Sequence, residues 1–442
     1  MRKNFSWAMF GSGFYVTCQF GLLIALTKIG DTQMAGQYTL GLAVSAPVII
    51  FLGFNLRAVI VSDARRECPF GVYLAFRLLA MTVAMCAIGA IIFIAGYRNE
   101  TALAIMMIAL AKTVESISDL FFGYFQQNER MDQITISKVI RGILSVVLFI
   151  DGMWLFGDVL GGIAGLITAW LVTLICFDIP RAVRFARNRA VHQRRAKLQR
   201  TARESFWPQW DAGRLKQLLL LSAPLGVVSM LISLNANIPR YFVEAWHGEA
   251  ALGIFGPISY FTVLGNIVVI SLGQSAAPRI ARYYCEGNRI AIIVLFITQC
   301  AVGASLGAAM ILMAATAGGW VLTTVFGSEY ASAQMAFLLI TVVISLSFVS
   351  TFSGIALTAM RAFRAQVPLA FATVCVAFAS CRALVPQHAI LGAAVAMVIA
   401  IGFQATSYGI VLLSVLYRMK EHSIINDEMA TPAFESFETV EE

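Results

Sequence analysis

Long apolar runs separated by short polar turns set the pattern of this chain. A run needs about 20 residues to cross the hydrocarbon core of a bilayer. Twelve runs qualify: residues 8–27, 37–58, 72–95, 102–124, 138–157 and 160–180, then 217–238, 251–272, 289–313, 333–356, 367–385 and 390–416. The pattern predicts an all-α polytopic membrane protein of about 12 transmembrane helices. Between the sixth and seventh runs lies RAVRFARNRAVHQRRAKLQRTARESFWPQWDAGRLK, which holds eleven of the 32 Lys and Arg against only Glu204 and Asp211. Moving Lys and Arg across a bilayer is costly, so this stretch stays on the cytoplasmic side and fixes the orientation. It divides the chain into an N-terminal six-helix lobe (1–180), a basic cytoplasmic linker (181–216), a C-terminal six-helix lobe (217–416) and an acidic, non-periodic cytoplasmic tail (417–442).

Composition agrees with the pattern. The chain has 442 residues, of which 59% are hydrophobic and 13% charged, whereas a soluble domain carries about 25% charged residues. The formal charge of +8 would suit nucleic acid on its own. Its basic residues sit between apolar spans, however, where they act as topology signals and contacts for anionic lipid. With the N-terminus inside, 27 of the 32 fall on the cytoplasmic side, and Lys28, Arg98, Arg240 and Arg382 fall on the outer side. That alternation argues for an even number of spans with both ends inside. The N-terminus, MRKNFSWAMF, has no small-residue cleavage site after its first apolar run and reads as the start of the first span. The eight cysteines have no C-x-x-C spacing, so neither a disulfide framework nor a zinc site is implied.

Six spans on each side of the basic stretch invite a search for an internal repeat. A shift of 217 residues aligns Gly36 with Gly253, Tyr38 with Phe255, Ala64 with Ala281 and Arg65 with Arg282. Gly123-x6-Arg130 resembles Gly354-x6-Arg361 at a shift of 231. Both halves run in the same in-to-out order, so two pseudo-symmetric lobes are expected, related by an axis along the membrane normal.

Candidate chemistry concentrates in the fourth span, ALAKTVESISDLFFG. Lys112, Glu115, Ser116, Asp119 and Gly123 fall at i, i+3, i+4, i+7 and i+11, which is one stripe of a helix. Lys112 lies roughly 16 Å beyond Thr101 in a core about 30 Å thick, near the midplane. Charges at that depth face a bundle interior or a wet cavity. Lys112 then holds an anionic head group, with Glu115 and Asp119 tuning its charge or carrying a coupling ion. A self-neutralised Lys112–Glu115 pair that only joins helices fits the same spacing. In the seventh span Ser229, Ser233 and Asn237 share a face that leads to Arg240, after a Pro239 that ends or kinks the helix. A planar guanidinium there suits phosphate, and an interfacial arginine reaching for lipid head groups fits equally well. Arg382 has the same standing at the outer end of span eleven. Arg57 and Arg279, at inner ends, either attract an anionic substrate or merely anchor the helices.

No GxxxxGK[ST], HExxH or GxSxG motif occurs, and the four histidines are scattered. A transporter is therefore favoured over an enzyme, and no cofactor or metal is expected. The strings AGQYTLGLAVSAPV, LRAVIVSDARRECPFGVYLAFRL, LAKTVESISDLFFGYFQQNERMDQITIS, NANIPRYF, VFGSEYASA and LTAMRAF resemble those of the bacterial polysaccharide flippases. These belong to the exporter superfamily that includes the multidrug/toxin extruders and the peptidoglycan-precursor flippases. The resemblance covers about residues 4–415 and is densest in the first half. It implies two six-helix lobes around a central cavity open alternately to each side. It implies that an undecaprenyl-pyrophosphate-linked oligosaccharide moves from the inner to the outer leaflet of a bacterial inner membrane, ahead of polysaccharide polymerase machinery. It further implies a cation-lined cavity, with Lys112 and Arg240 in the matching segments, and coupling to a proton or sodium gradient. Two alternatives remain beside it: a multidrug/cation antiporter of the same fold, whose cavity would be dominated by carboxylates, and a membrane polymerase or ligase, which would need a large outer loop.

Overall fold

The computed structural model describes residues 2–63, 68–97, 99–195, 206–360 and 362–430. Arg65, Arg66, Arg98, Arg361, the middle of the basic stretch (196–205) and the acidic end (431–442) lie outside them.

The described residues are helical without strands. The helices are α1 (Arg2–Ile29), α2 (Thr32–Leu52), α3 (Leu56–Ser62), α4 (Phe70–Ala95), α5 (Asn99–Gln127), α6 (Met131–Phe156), α7 (Val159–Thr173) and α8 (Ile179–Arg195). Then come α9 (Ala212–Ser259), α10 (Phe261–Cys285), α11 (Arg289–Val325), α12 (Gln334–Ala359) and α13 (Phe363–Ala430). Among the described residues ten helical stretches are long and apolar enough to cross a membrane, where twelve were expected. Two of the ten far exceed one crossing. Ala212–Cys285 has 74 residues and Ala365–Met419 has 55, so straight helices of those lengths would measure about 110 and 80 Å. Neither runs unbroken, because Gly248 (φ 79°) and Ala389 (φ 47°) both leave helical geometry inside them.

The second expected span also divides. After Leu52 the backbone turns through Phe54 and Asn55, both at positive φ, before α3 begins. Asn tolerates that left-handed conformation, but a bulky Phe does so only when its surroundings hold it. Phe54 is buried against Phe51 and Phe76. The break brings Arg57, at the second position of α3, to face α5. Further along, α7 runs into a π-helical turn, Leu174–Asp178, before α8.

The chain forms two compact units. One comprises Met1–Tyr260, Gly318–Phe337 and Ala377–Ala396, and the other comprises Phe261–Ala317, Leu338–Val376 and Met397–Glu442. In the first unit α2 packs against α9 and α5, and α6 packs between α1 and α7. The contact of α2 with α9 has a reciprocal form. A Cβ on Gly36 would overlap the carbonyl oxygen of Glu249, and a Cβ on Gly253 would overlap that of Thr32. Thr32 and Glu249, like Gly36 and Gly253, are 217 residues apart, so the shift turns one contact into the other. Thr39 against Gly256 continues the line with the same spacing. The repeat seen in the sequence thus reappears as a self-complementary, isologous interface. The second unit has its own apolar core, in which Ile280, Ile292, Leu357, Tyr408 and Leu412 are buried together.

Candidate functional site

The stripe of α5 opens onto a cavity of about 420 Å³ within the first unit, with Lys112, Glu115, Ser116 and Asp119 in its wall. That volume lies within the usual range for ligand pockets, about 300–1,000 Å³. Three further elements add charge. From α3 comes Arg57, from α4 Arg77, and from α6 Lys138 and Arg141. Five cations therefore meet two carboxylates in one wall. Ser229, from the polar stripe of the seventh span, is the sole lining residue beyond residue 180 among those described.

Each cation is held differently. The Lys112 ammonium donates to Glu115 Oε2 at 2.8 Å and sits 5.3 Å above the Trp170 ring. Glu115 accepts from the Tyr15 hydroxyl through its other oxygen, at 2.8 Å. The Arg57 guanidinium pairs with Asp119 at 2.9 Å, and its Nε donates to Gln126 Oε1 at 2.9 Å. Lys138 donates to the Ser12 hydroxyl at 2.9 Å. Arg77 is 3% exposed and donates to Ser116 Oγ at 2.8 Å. Arg141 pairs with Asp178 at 3.1 Å, with both side chains nearly dry. Ser137 also donates to Asp178, at 2.6 Å, and Arg141 lies 5.3 Å over the Phe122 ring.

Asp178 reaches Arg141 because it closes the π-helical turn, where an extra residue per turn changes the direction of the side chains that follow. The Nε atoms of Arg77 and Arg141 are buried and make no hydrogen bond to the described residues. A buried donor without an acceptor costs about 1–3 kcal/mol. Both side chains contribute to the cavity wall, and a guanidinium fork can bind two anionic oxygens at once. Among the described residues no group of three His, Cys, Asp or Glu side chains is placed to hold a metal ion.

The structure thus gathers Lys112, Glu115, Ser116, Asp119, Arg57 and Ser229 from the residues singled out by sequence. The others lie apart. Arg240 donates to Asn237 Oδ1 at 3.0 Å and to Ser259 Oγ at 3.1 Å, and Asn237 is buried. Arg382 is exposed and lies 5.6 Å over the Trp246 ring. Arg279 is exposed and belongs to the second unit. Arg77, Lys138 and Arg141 entered the sequence reading only as orientation charges, and Asp178 did not enter it. A signal for two of them was present, since Lys138, Arg141 and Ser145 fall at i, i+3 and i+7, as the α5 stripe does.

Comparison with known proteins adds family and fold. The family described as "Polysaccharide biosynthesis protein" matches residues 1–284. The capsular polysaccharide biosynthesis protein CapF of Staphylococcus aureus is 23% identical over 399 residues, which are 90% of this chain and 96% of CapF. Among solved structures, an inward-facing multidrug resistance MATE family transporter of the MOP superfamily is similar with a TM-score of 0.65. It is 13% identical, covering 95% of this chain and 96% of its own. A eukaryotic MATE transporter gives 0.64 at 12% identity, covering 95% and 98%. At such identities the likeness speaks for the fold alone.

Proposed function

Because the chain belongs to the polysaccharide biosynthesis protein family and has the fold of a multi-pass transporter, we propose that it is a flippase for lipid-linked oligosaccharide. In this reading an undecaprenyl-pyrophosphate-linked sugar unit moves from the inner to the outer leaflet of the bacterial inner membrane. Twelve crossings form two lobes, both termini are cytoplasmic, and the cavity opens alternately to either side. The observation that carries the reading is the cavity wall, where Arg57, Arg77, Lys112, Lys138 and Arg141 outnumber Glu115 and Asp119.

A surplus of cations in a low-dielectric wall attracts a pyrophosphate strongly and repels a cationic drug. The lipid tail need not enter the cavity, since a lateral opening leaves it in the bilayer, where it costs nothing to keep. Arg240, Asn237 and Arg382 then serve the outer part of the path, and Arg279 and Arg57 the cytoplasmic approach. Glu115 and Asp119, each paired with a cation, are the groups through which a proton or sodium gradient would act. The polysaccharide polymerase machinery receives the flipped unit.

The test is made in cells that lack this chain. Lipid-linked oligosaccharide is expected to accumulate on the cytoplasmic leaflet with loss of surface polysaccharide, both restored by the wild-type chain. Normal surface polysaccharide with new sensitivity to cationic dyes would replace this reading with an antiporter. Single units accumulating on the outer leaflet would identify a polymerase instead.

A further inference from the structure

Beside the charged cavity lies a second, smaller one of about 120 Å³, also within the first unit, whose wall includes Tyr15, Gln19, Tyr38, Lys112, Trp170 and Tyr260. Tyr15 and Lys112 line both cavities, so the two adjoin. Each polar group in the smaller wall has a distinct standing. Trp170 is fixed, because its indole N–H donates to Ser145 Oγ at 2.8 Å and its ring packs beneath the Lys112 ammonium. Tyr260 is stacked with Phe20, with ring centroids 6.1 Å apart, and Tyr38 meets Phe149 edge-on at 5.8 Å. The rings are therefore held rigidly. Three polar groups stay uncommitted: the Gln19 amide nitrogen is buried with no hydrogen-bond partner, and the hydroxyls of Tyr38 and Tyr260 donate to none of the described residues.

Resting on the flippase reading, we propose that this pocket is a sugar subsite that receives the first ring of the head group while the adjoining cavity holds the pyrophosphate. A sugar ring has apolar C–H faces that rest on aromatic planes and a rim of hydroxyls that need amide and phenol partners. Aromatic side chains with one apolar body and one polar tip meet both needs. The pocket adjoins the larger cavity through Tyr15 and Lys112, so a ring seated in it would follow directly on a pyrophosphate held next door.

Two other guests fit less well. An aromatic cage is also a receptor for organic cations, but here the Lys112 ammonium already covers Trp170 and opposes a second positive charge. A purely apolar guest would leave the Gln19 amide buried and unpaired, and amides are costly to strand in that way. The shared wall carries the specificity. Lys112 sits between the two cavities, where a phosphate oxygen and a neighbouring sugar oxygen would both fall within its reach.

The test uses the purified full chain in lipid nanodiscs and two probes. One is the lipid-linked oligosaccharide extracted from cells lacking this protein, and the other is bare undecaprenyl pyrophosphate. The wild type is expected to bind the sugar-bearing lipid about ten-fold more tightly. Gln19→Leu, and separately Tyr38→Phe with Tyr260→Phe, each lose most of that preference, since one hydrogen bond is worth roughly two- to ten-fold in affinity, while bare pyrophosphate binds as before. Gln19→Leu removes a buried unpaired amide, so a purely structural role predicts no loss of binding from it. If the wild type binds both lipids equally, or the variants keep the preference, the sugar subsite is wrong and the flippase reading stands. If the wild type binds neither lipid, the flippase reading falls and the subsite with it. Tetraphenylphosphonium binding that Tyr260→Ala abolishes, together with equal binding of the two lipids, would assign the pocket to organic cations and overturn the sugar subsite.

Discussion

Lys112 is the residue on which the charged wall turns, because its ammonium meets a carboxylate, an indole face and both cavities at once. Removing it costs more than one ion pair. Glu115 would keep only the Tyr15 hydroxyl as a hydrogen-bond partner, and a partly buried carboxylate that loses its ion pair is destabilised. Lys112→Ala is therefore expected to reduce surface polysaccharide at least ten-fold in a complementation assay at matched protein levels, while Lys112→Arg keeps part of the activity. Full export by Lys112→Ala would remove the cavity-cation idea. The α5 stripe was legible in the sequence because its charges lie near the middle of an apolar run, where only an interior face explains them. Arg77, Lys138 and Arg141 were not legible in the same way. A basic residue two turns inside the inner end of a span satisfies the rule for orientation whether it faces lipid head groups or a cavity. Periodicity marks a face of one helix without saying what that face meets, and Asp178 joins Arg141 across 37 residues through a local change of helix type that no spacing announces.

At the scale of the elements, the π-helical turn Leu174–Asp178 and the reciprocal contact of α2 with α9 are the two places where geometry is most demanding. Through the turn, Asp178 supplies the carboxylate that balances Arg141 in a dry setting. Breaking such a pair from one side costs about 3–5 kcal/mol, because a lone buried charge remains. Asp178→Ala is expected to lower the melting temperature of the detergent-purified protein and its yield from membranes. Replacing Arg141 and Asp178 together with Leu should recover most of the melting temperature but not export. An unchanged melting temperature for Asp178→Ala would mean that the pair is solvated. For the second place, Gly36→Leu and Gly253→Leu each set a side chain against backbone that cannot retreat. Each single substitution is expected to prevent accumulation of folded protein, seen as loss of the monodisperse peak in gel filtration. The repeat itself was legible as aligned glycines. That the aligned glycines touch was not, since a shift in sequence says which residues correspond and nothing about which of them meet.

For the whole molecule, the fold class was readable from span length and apolarity, and the places where ten stretches stand against twelve expected runs are the kinks at Gly248 and Ala389. Hydropathy sees composition, whereas a helix assignment follows hydrogen bonding through a bend, so the two count differently at a tight turn. Sidedness gives a direct check. In a background whose only cysteine is Cys285, which is exposed beside the turn at Gly287, a membrane-impermeant maleimide should label inverted vesicles and not intact spheroplasts. A single cysteine placed by Phe156→Cys, beside the turn at Gly157, should show the opposite pattern. Labelling of both from one side would overturn the twelve-crossing topology. The reciprocal contact has one more consequence. An interface that maps onto itself under a 217-residue shift is the interface two identical half-length chains would make with each other. The chain has the build of a dimer joined end to end, and joining frees the two copies to diverge. The charged residues described in the cavity wall all come from the first copy, so in the proposed flippase the two copies offer the head group different things.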